Sequence, residues 1–319
     1  MRAETWGTHP RWRWCCSWSS LRSRCSSGRS WSGRCTMREG FRIGQRNWAV
    51  HVVLLAGAVS FLLPFYWMLS TALKGSAELF ESPPTFFPHD VRPANFPDAW
   101  NSVPFPRYFF NTIFVALCIV AGVVVTSGLS AFAFAFLKFR GREGLFNSFL
   151  STMMVPEPVY IISSYILLYN LPGGGRDGWI NDYSALIVPW LAHVFSIFLL
   201  RQHFLSFPRD LVDAAVIDGC GPVTFIFRII LPLSRAALTT VCLFTFINTW
   251  NSFLWPLVMT NSDTIRPVQV GLAFFAQEQG TEHGLMMAAA TFAVAPLLVA
   301  YFFAQKQIIE SLTHTGLKG

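Results

Sequence analysis

Long apolar segments dominate the pattern of this 319-residue sequence. Six segments of 18 to 27 residues contain at most one charged residue each: 48–73, 111–137, 145–171, 183–200, 236–260 and 284–305. An α-helix rises about 1.5 Å per residue, so about 18–20 residues cross the roughly 30 Å of bilayer hydrocarbon. The pattern therefore predicts an all-α integral membrane protein with six transmembrane helices.

The distribution of basic residues predicts the orientation of these helices. The first 46 residues hold ten Arg and two Glu, and later segments on that side of the membrane hold nine Lys and Arg, against five on the other side. Cytoplasmic loops are enriched in Lys and Arg. We therefore expect both termini in the cytoplasm and a multi-pass protein of the cell membrane.

Composition narrows the functional classes. Hydrophobic residues make up 53% of the chain and charged residues 13%, against about 45–50% and about 25% in soluble domains. A soluble enzyme is therefore not expected. The net charge of +7 comes from the first 46 residues, which carry +8, so no nucleic-acid partner is predicted from it. The sequence also lacks a Gly-x4-Gly-Lys-Ser/Thr phosphate loop and any Cys-x-x-Cys pair, so neither a bound cofactor nor a metal site is expected.

The amino-terminal segment 1–46 is predicted to be basic and disordered, and residues 47–319 are predicted to form the six-helix domain. Arg, Ser, Trp and Cys occupy 24 of the first 36 positions, with no apolar run of signal-peptide length. Met37 is a candidate natural start, which would make residues 1–36 either a gene-start error or a disordered arm.

The longest predicted cytoplasmic loop spans residues 202–235. Asp210 is a suitable N-cap for a helix over 211–218, and Gly219 is suited to end it in the left-handed conformation. Pro222 is suited to begin a second short helix, which Leu231 and Pro232 close. Small alanines and neighbouring Val and Ile residues on the first helix predict a surface that docks a soluble partner.

The residues of this loop resemble the signature of ABC-importer permease subunits, Glu-Ala-Ala-x3-Gly-x9-Ile-x-Leu-Pro. Asp213 stands in place of the Glu and is one methylene shorter. In that family this loop forms the coupling helices that sit in a cleft of the ATPase subunit. The resemblance assigns ATPase coupling to Asp213, Ala214, Ala215, Asp218, Gly219, Ile229, Leu231 and Pro232.

Three further segments, 197–202, 250–257 and 316–319, resemble the carbohydrate branch of these permeases, specifically the maltose-type second subunit. The resemblance covers about residues 40–319. It implies an ABC-importer permease fold that pairs with a second homologous permease, a dimer of ATP-binding subunits and an extracytoplasmic sugar-binding protein. ATP and Mg would then bind to the partner ATPase rather than to this chain. The substrate stays open among maltose, trehalose, another oligosaccharide and glycerol phosphate.

Four residues within the spans are candidates for the substrate pathway: Glu157, Trp250, Asn251 and Trp255. An intramembrane acid is costly and often functional, although Glu157 could equally be satisfied at a helix break. Aromatic rings and amides suit sugars, although they also suit helix packing. His193 is expected to be packed and neutral. The last outer loop resembles the segment that contacts the binding protein, with Gln277, Glu278 and Gln279 as candidates.

Two other functional classes fit parts of the sequence. A secondary transporter driven by an ion gradient usually needs an internal repeat and coupling-ion ligands, and the chain offers one intramembrane acid. A membrane scaffold without transport would use the loop 202–235 only as a docking site.

Overall fold

The computed structural model describes residues 48–173, 177–278 and 282–316. Their secondary structure is helical, with two 3-10 turns at Glu78–Phe80 and Val188–Trp190 and one π-helical turn at Ile226–Ile230. The α-helices are α1 Trp48–Ala72, α2 Asn95–Ser102, α3 Phe105–Phe136, α4 Arg142–Thr152, α5 Glu157–Tyr169, α6 Tyr183–Ile187, α7 Val194–Leu205, α8 Arg209–Ile217, α9 Pro222–Phe225, α10 Leu231–Leu233, α11 Arg235–Trp250, α12 Leu254–Met259, α13 Val268–Glu278 and α14 His283–Gly316. The predictions for residues 1–46 fall outside the described residues.

The chain divides into two compact units, residues 1–55 and residues 56–319. Every contact described below lies within the second unit.

Four helical stretches of the described residues are long and apolar enough to cross a membrane: Val50–Ala72, Phe105–Phe136, Tyr183–Leu205 and His283–Phe303. A fifth is obtained if Pro222–Leu233 and Arg235–Trp250, which meet at 81°, form one broken span. The six-span count therefore stays a prediction.

The segment 145–171 is not one continuous helix. It is divided between α4 and α5, and the chain between them is non-helical. Pro156 has extended backbone angles (φ −70°, ψ 143°) and precedes α5, and Pro158 lies in the first turn of α5. Proline removes a helical hydrogen bond and clashes with the preceding turn, so this pair ends one helix and begins the next.

Helix α3 is at the centre of the unit and packs against α7 and α11. Its buried residues include Val115, Ile119 and Val123, which join a core that extends to α6, α7 and α11. At Gly122 a Cβ atom would lie 2.3 Å from Leu191 Cδ2. The absent side chain therefore allows the chain before α7 to approach α3 closely.

The proline-rich segment 74–107 between α1 and α3 contains α2. Asn95 at the start of this helix is buried and donates from Nδ2 to the carbonyl oxygens of Ala72 (2.8 Å) and Lys74 (2.9 Å). Trp100 stacks on Phe105 of α3 with ring centroids 5.9 Å apart. These contacts fix α2 against the ends of α1 and α3.

Candidate functional site

A cavity of about 370 Å³ lies among α3, α5, α6, α11 and α12. Cavities of this size are typical of small-molecule sites. Its polar lining residues are Thr112, Glu157, His193, Thr245, Asn248, Thr249, Asn251 and Ser252, and its aromatic lining residues are Trp190, Phe253 and Trp255. The structure thus brings together Glu157, Asn251 and Trp255, three of the four pathway residues predicted from the sequence.

Glu157 supplies the only carboxylate among the residues that line this cavity. Its Oε1 atom is buried and has no hydrogen-bond partner among the described residues, and the same is true of Thr245 Oγ1. Glu157 is also the first residue of α5, where the helix dipole favours a negative charge. Two of the side chains that line the cavity thus carry a buried oxygen atom without a hydrogen-bond partner in the described chain.

Trp255 forms part of the aromatic wall. Its Nε1 donates to the carbonyl oxygen of Ala185 (3.0 Å), and its ring meets that of Trp190 edge to face at 5.5 Å. The indole N–H groups of buried tryptophans need a partner, so this hydrogen bond fixes the ring orientation. The rings of Trp190 and Trp255 can contact the apolar faces of a sugar, while the sugar hydroxyls bind to polar groups that line the same cavity.

Trp250 does not line the cavity. It is 1% exposed, donates from Nε1 to the carbonyl oxygen of Ala293 (3.0 Å) and packs against Phe109 and Phe246. The structure therefore does not bring Trp250 to this cavity, because α11 turns the side chain into a second core that includes α14; its role in the pathway stays a prediction.

Sequence reasoning missed the polar face of α11. Thr245, Asn248 and Thr249 of α11 line the cavity together with Ser252, which lies two residues beyond the end of the helix. The spacing of three and four residues places the three helical residues on one side of α11. This periodicity within an apolar span is the signal that could have identified them. His193 also lines the cavity, and its Nδ1 lies 3.1 Å from Ser196 Oγ, in accord with a hydrogen-bonded imidazole.

The predicted docking loop forms a second surface, built on α8. The helix begins at Arg209 after Pro208, and Asp210 lies in its first turn without a capping hydrogen bond, so the prediction of Asp210 as N-cap is wrong. The extended backbone of Pro208 begins the helix instead. At the other end Gly219 has φ +72°, and the amides of Gly219 and Cys220 donate to Val216 (3.0 Å) and Ala215 (2.9 Å). This is a Schellman cap, and it confirms the prediction that Gly219 ends the helix in the left-handed conformation.

The exposed side of α8 is apolar at its centre and acidic at its flanks. Val216 and Ile217 are 67% and 85% exposed, and Ala214, Asp213 and Asp218 are also exposed. Ala215 instead lies in the core. Exposed apolar groups rimmed by polar ones mark interaction surfaces, so this face suits a protein partner.

The second half of the loop connects the docking surface to the cavity. Helix α9 begins with Pro222 as predicted, but the helical path continues through Pro232 to Leu233, so Leu231 and Pro232 do not close it. The π-helical turn before α10 changes the hydrogen-bond register in front of this proline. Ile229 and Leu231 pack on the core, and Pro232 is exposed. After an 81° bend the chain enters α11, which lines the cavity.

The predicted binding-protein contacts are only partly described. Gln277 and Glu278 are the last two residues of α13, and Gln279 lies outside the described residues. Their role stays a prediction.

Comparisons with known proteins identify relatives of the chain. The sequence model of the family described as "Binding-protein-dependent transport system inner membrane component" matches residues 124–314. The sn-glycerol-3-phosphate transport system permease protein UgpE of Agrobacterium fabrum is 32% identical over 274 residues, which are 83% of this chain and 95% of the relative. The probable ABC transporter permease protein YurM of Bacillus subtilis is 29% identical over 284 residues, which are 88% and 91% of the two chains.

Solved structures share the fold. A chain of a bacterial ABC transporter involved in the import of the acidic polysaccharide alginate superimposes with a TM-score of 0.70 at 21% identity, covering 82% of this chain and 96% of that one. A chain of the alginate transporter in complex with alginate pentasaccharide-bound periplasmic protein gives a TM-score of 0.59 at 16% identity, with 81% and 93% covered. The predicted all-helical ABC-importer permease fold is confirmed.

Proposed function

Because the chain belongs to the family of binding-protein-dependent transport system inner membrane components, we propose that it forms half of the translocation pathway of an ATP-driven sugar importer. A second homologous permease forms the other half, and a dimer of ATP-binding subunits docks on α8. An extracytoplasmic binding protein delivers the sugar. ATP and Mg bind to the ATPase dimer, and this chain carries out no covalent chemistry.

The observation that supports this proposal best is the continuous path from α8 to the cavity. The docking face and the polar face of α11 belong to one stretch of chain, joined by the bend after Leu233. When ATP closes the ATPase dimer, the docked α8 moves with it. Rigid-body movement of packed helices then alters the cavity wall and switches the cavity between inward-facing and outward-facing states.

The proposal includes the six-span topology with both termini in the cytoplasm. In this arrangement the segment 145–171, which includes α5 and most of α4, makes the third span, and the segment 236–260, which includes α12 and nearly all of α11, makes the fifth. Breaks within spans are tolerated where protein or a polar cavity surrounds them, and the break before α5 lies beside Glu157, which lines the cavity. Helix α5 also exposes Val159, Ile162 and Leu167, a face that suits lipid or the second permease.

Reconstitution tests the proposal directly. The chain would be purified with the ATPase, second permease and binding protein of the same organism and placed in proteoliposomes. We expect sugar uptake that requires both ATP and the loaded binding protein. Uptake driven by an ion gradient without ATP would contradict the proposal and favour a secondary transporter. If the four components assemble but none of the sugars that bind to the binding protein is taken up, the result would favour a membrane scaffold.

Cavity variants test the pathway. We expect Glu157→Gln and Asn251→Ala to lower the rate of sugar uptake about tenfold, since hydrogen bonds to charged or buried partners contribute about 1–3 kcal/mol. ATP hydrolysis without substrate should persist, because neither residue lies on the docking face.

The control for these variants is Trp250→Phe, which changes a buried tryptophan outside the cavity. We expect it to lower the thermal midpoint of the complex through the lost hydrogen bond to Ala293, with uptake per folded complex close to that of the unmodified chain. Normal uptake by both cavity variants would remove Glu157 and Asn251 from the pathway.

A further inference from the structure

A second large cavity, of about 990 Å³, lies between the turn that follows α3 and the docking helix α8. The turn contributes Lys138 and Arg140, α4 contributes Arg142 and Glu143, and α8 contributes Asp213. Three cations thus face two carboxylates. The remaining walls are largely apolar and are formed by Ala135, Phe136, Phe139, Phe204, Leu205, Phe207 and Val212.

Glu143 is already engaged by arginines. It pairs with Arg142 (2.9 Å) and with the buried Arg201 (2.9 Å). Partial burial raises the pKa of Glu143, but the hydrogen bonds and charges of Arg142 and Arg201 outweigh this and hold the pKa below its usual range. The carboxylate therefore stays ionised and is not available to neutralise the other cations of the groove.

Lys138 and Arg140 are the uncompensated charges of the groove. Both are exposed, and neither makes an ion pair with any described residue. Asp213 on the opposite wall is likewise unpaired within the described chain. An anion that enters the groove would therefore meet two cations without ion-pair partners among the described residues, with the Asp213 carboxylate on the opposite wall.

The turn that carries these cations is fixed in place. Arg201 of α7 donates from Nε to the carbonyl oxygen of Phe134 (3.3 Å), and its guanidinium lies 4.0 Å from the centre of the Phe146 ring. Gly141 has φ +82° and leads directly into α4. The two cations are thus presented from an anchored turn.

The surroundings of the groove favour a lipid over a soluble anion. It opens at the carboxyl ends of α3 and α7, two helical stretches that are long and apolar enough to cross a membrane. Leu137, Phe139 and Leu205 are 43%, 41% and 47% exposed beside the cations. Apolar side chains next to Lys and Arg at the cytoplasmic ends of spans match both the acyl chains and the phosphate of a lipid.

We propose that this groove binds the headgroup of an anionic phospholipid of the cytoplasmic leaflet, with its phosphate between Lys138 and Arg140. The proposal rests on the cytoplasmic placement of α8 given under the proposed function. Because Val212 and Asp213 of α8 form the opposite wall, a bound headgroup lies between a span end and the docking helix. Occupancy therefore supports the position from which α8 engages the ATPase.

The test compares membranes and paired variants. The assembled complex would be reconstituted in phosphatidylcholine vesicles with increasing phosphatidylglycerol, and substrate-stimulated ATP hydrolysis would be measured. We expect stimulation by phosphatidylglycerol in the unmodified complex. The double variant Lys138→Gln/Arg140→Gln should bind phosphatidylglycerol about thirtyfold more weakly and lose most of the stimulation, since each cation near an anionic membrane contributes about fivefold to affinity. Native mass spectrometry should show retained phosphatidylglycerol in the unmodified complex and loss in this variant.

The control pair Arg92→Gln/Arg107→Gln removes two exposed cations that lie outside the groove. Its phosphatidylglycerol dependence should match that of the unmodified complex. An equal response of both pairs would overturn the proposal. Weaker binding of the ATPase subunits to the Lys138/Arg140 variant in pure phosphatidylcholine would assign the groove to the ATPase instead. Failure of the proposed function is distinguishable, because the unmodified complex would then show no substrate-stimulated hydrolysis in any membrane.

Discussion

Replacing Gly219 with valine is expected to abolish sugar uptake and substrate-stimulated ATP hydrolysis while leaving membrane insertion intact. Gly219 adopts φ +72°, a left-handed conformation that costs an ordinary L-residue roughly 1–2 kcal/mol and a β-branched residue more. The strain would displace the end of α8 and with it the exposed Val216 and Ile217. Uptake and ATP hydrolysis in proteoliposomes measure the effect, and membrane fractionation measures insertion.

The matched control is Gly219→Asn, because asparagine tolerates the left-handed region. A Cβ atom at this position would meet nothing within 4 Å in the chain. Retained activity in the Asn variant would therefore assign the effect of valine to the backbone turn. Loss in both variants would instead assign it to contact between this position and the ATPase. Normal uptake by a stably inserted Gly219→Val variant would refute the role of α8 in coupling.

Replacing Gly178 with alanine is expected to destabilise the protein by about 3 kcal/mol or more. The residue has φ +62°, and a Cβ atom would lie 2.2 Å from the carbonyl oxygen of Tyr169 and 2.5 Å from that of Leu168. The left-handed conformation contributes roughly 1–2 kcal/mol and the overpacking roughly 1–3 kcal/mol. At about 2–4 °C per kcal/mol, the thermal midpoint of the purified complex should fall by about 6–12 °C.

Gly173→Ala separates the two causes. Gly173 also has positive φ, +98°, but a Cβ atom there would lie 4.0 Å from its nearest neighbour, Trp179 Nε1. This variant should therefore lower the thermal midpoint by less, about 2–8 °C, through backbone strain of roughly 1–2 kcal/mol alone. Equal shifts for the two variants would show that the close approach of Gly178 to the end of α5 is not maintained in solution.

The two glycines also show what local sequence can predict. The run of glycines that begins at Gly173 indicates a turn without knowledge of the fold. The requirement for glycine at Gly178 depends on the carbonyl oxygens of residues nine and ten positions earlier, and on the hydrogen bond from Trp179 N to Leu168 O (3.0 Å). Such an approach is a tertiary contact, and sequence patterns of helical or strand period do not contain it.

The sequence predicts the long helices more completely than it predicts the residues of the cavity. Long uncharged runs identify α1, α3 and α14 because lipid-crossing helices need length and apolarity alone. The same criterion overlooks the break before α5, where two prolines divide an apolar run. Trp250 and Trp255 have similar neighbours in sequence, yet the non-helical residues between α11 and α12 rotate them into different surroundings. Only the three-dimensional path of the chain separates a core tryptophan from a cavity tryptophan.

The bend after Leu233 makes α11 a lever. The helix has 16 residues, which correspond to a rod of about 24 Å. A tilt of about 10° about the bend would carry the far end of such a rod about 4 Å sideways, close to the width of one side chain. Asn248 and Thr249 lie near that far end, so a modest rotation at the bend would be enough to move their polar side chains into or out of the cavity wall.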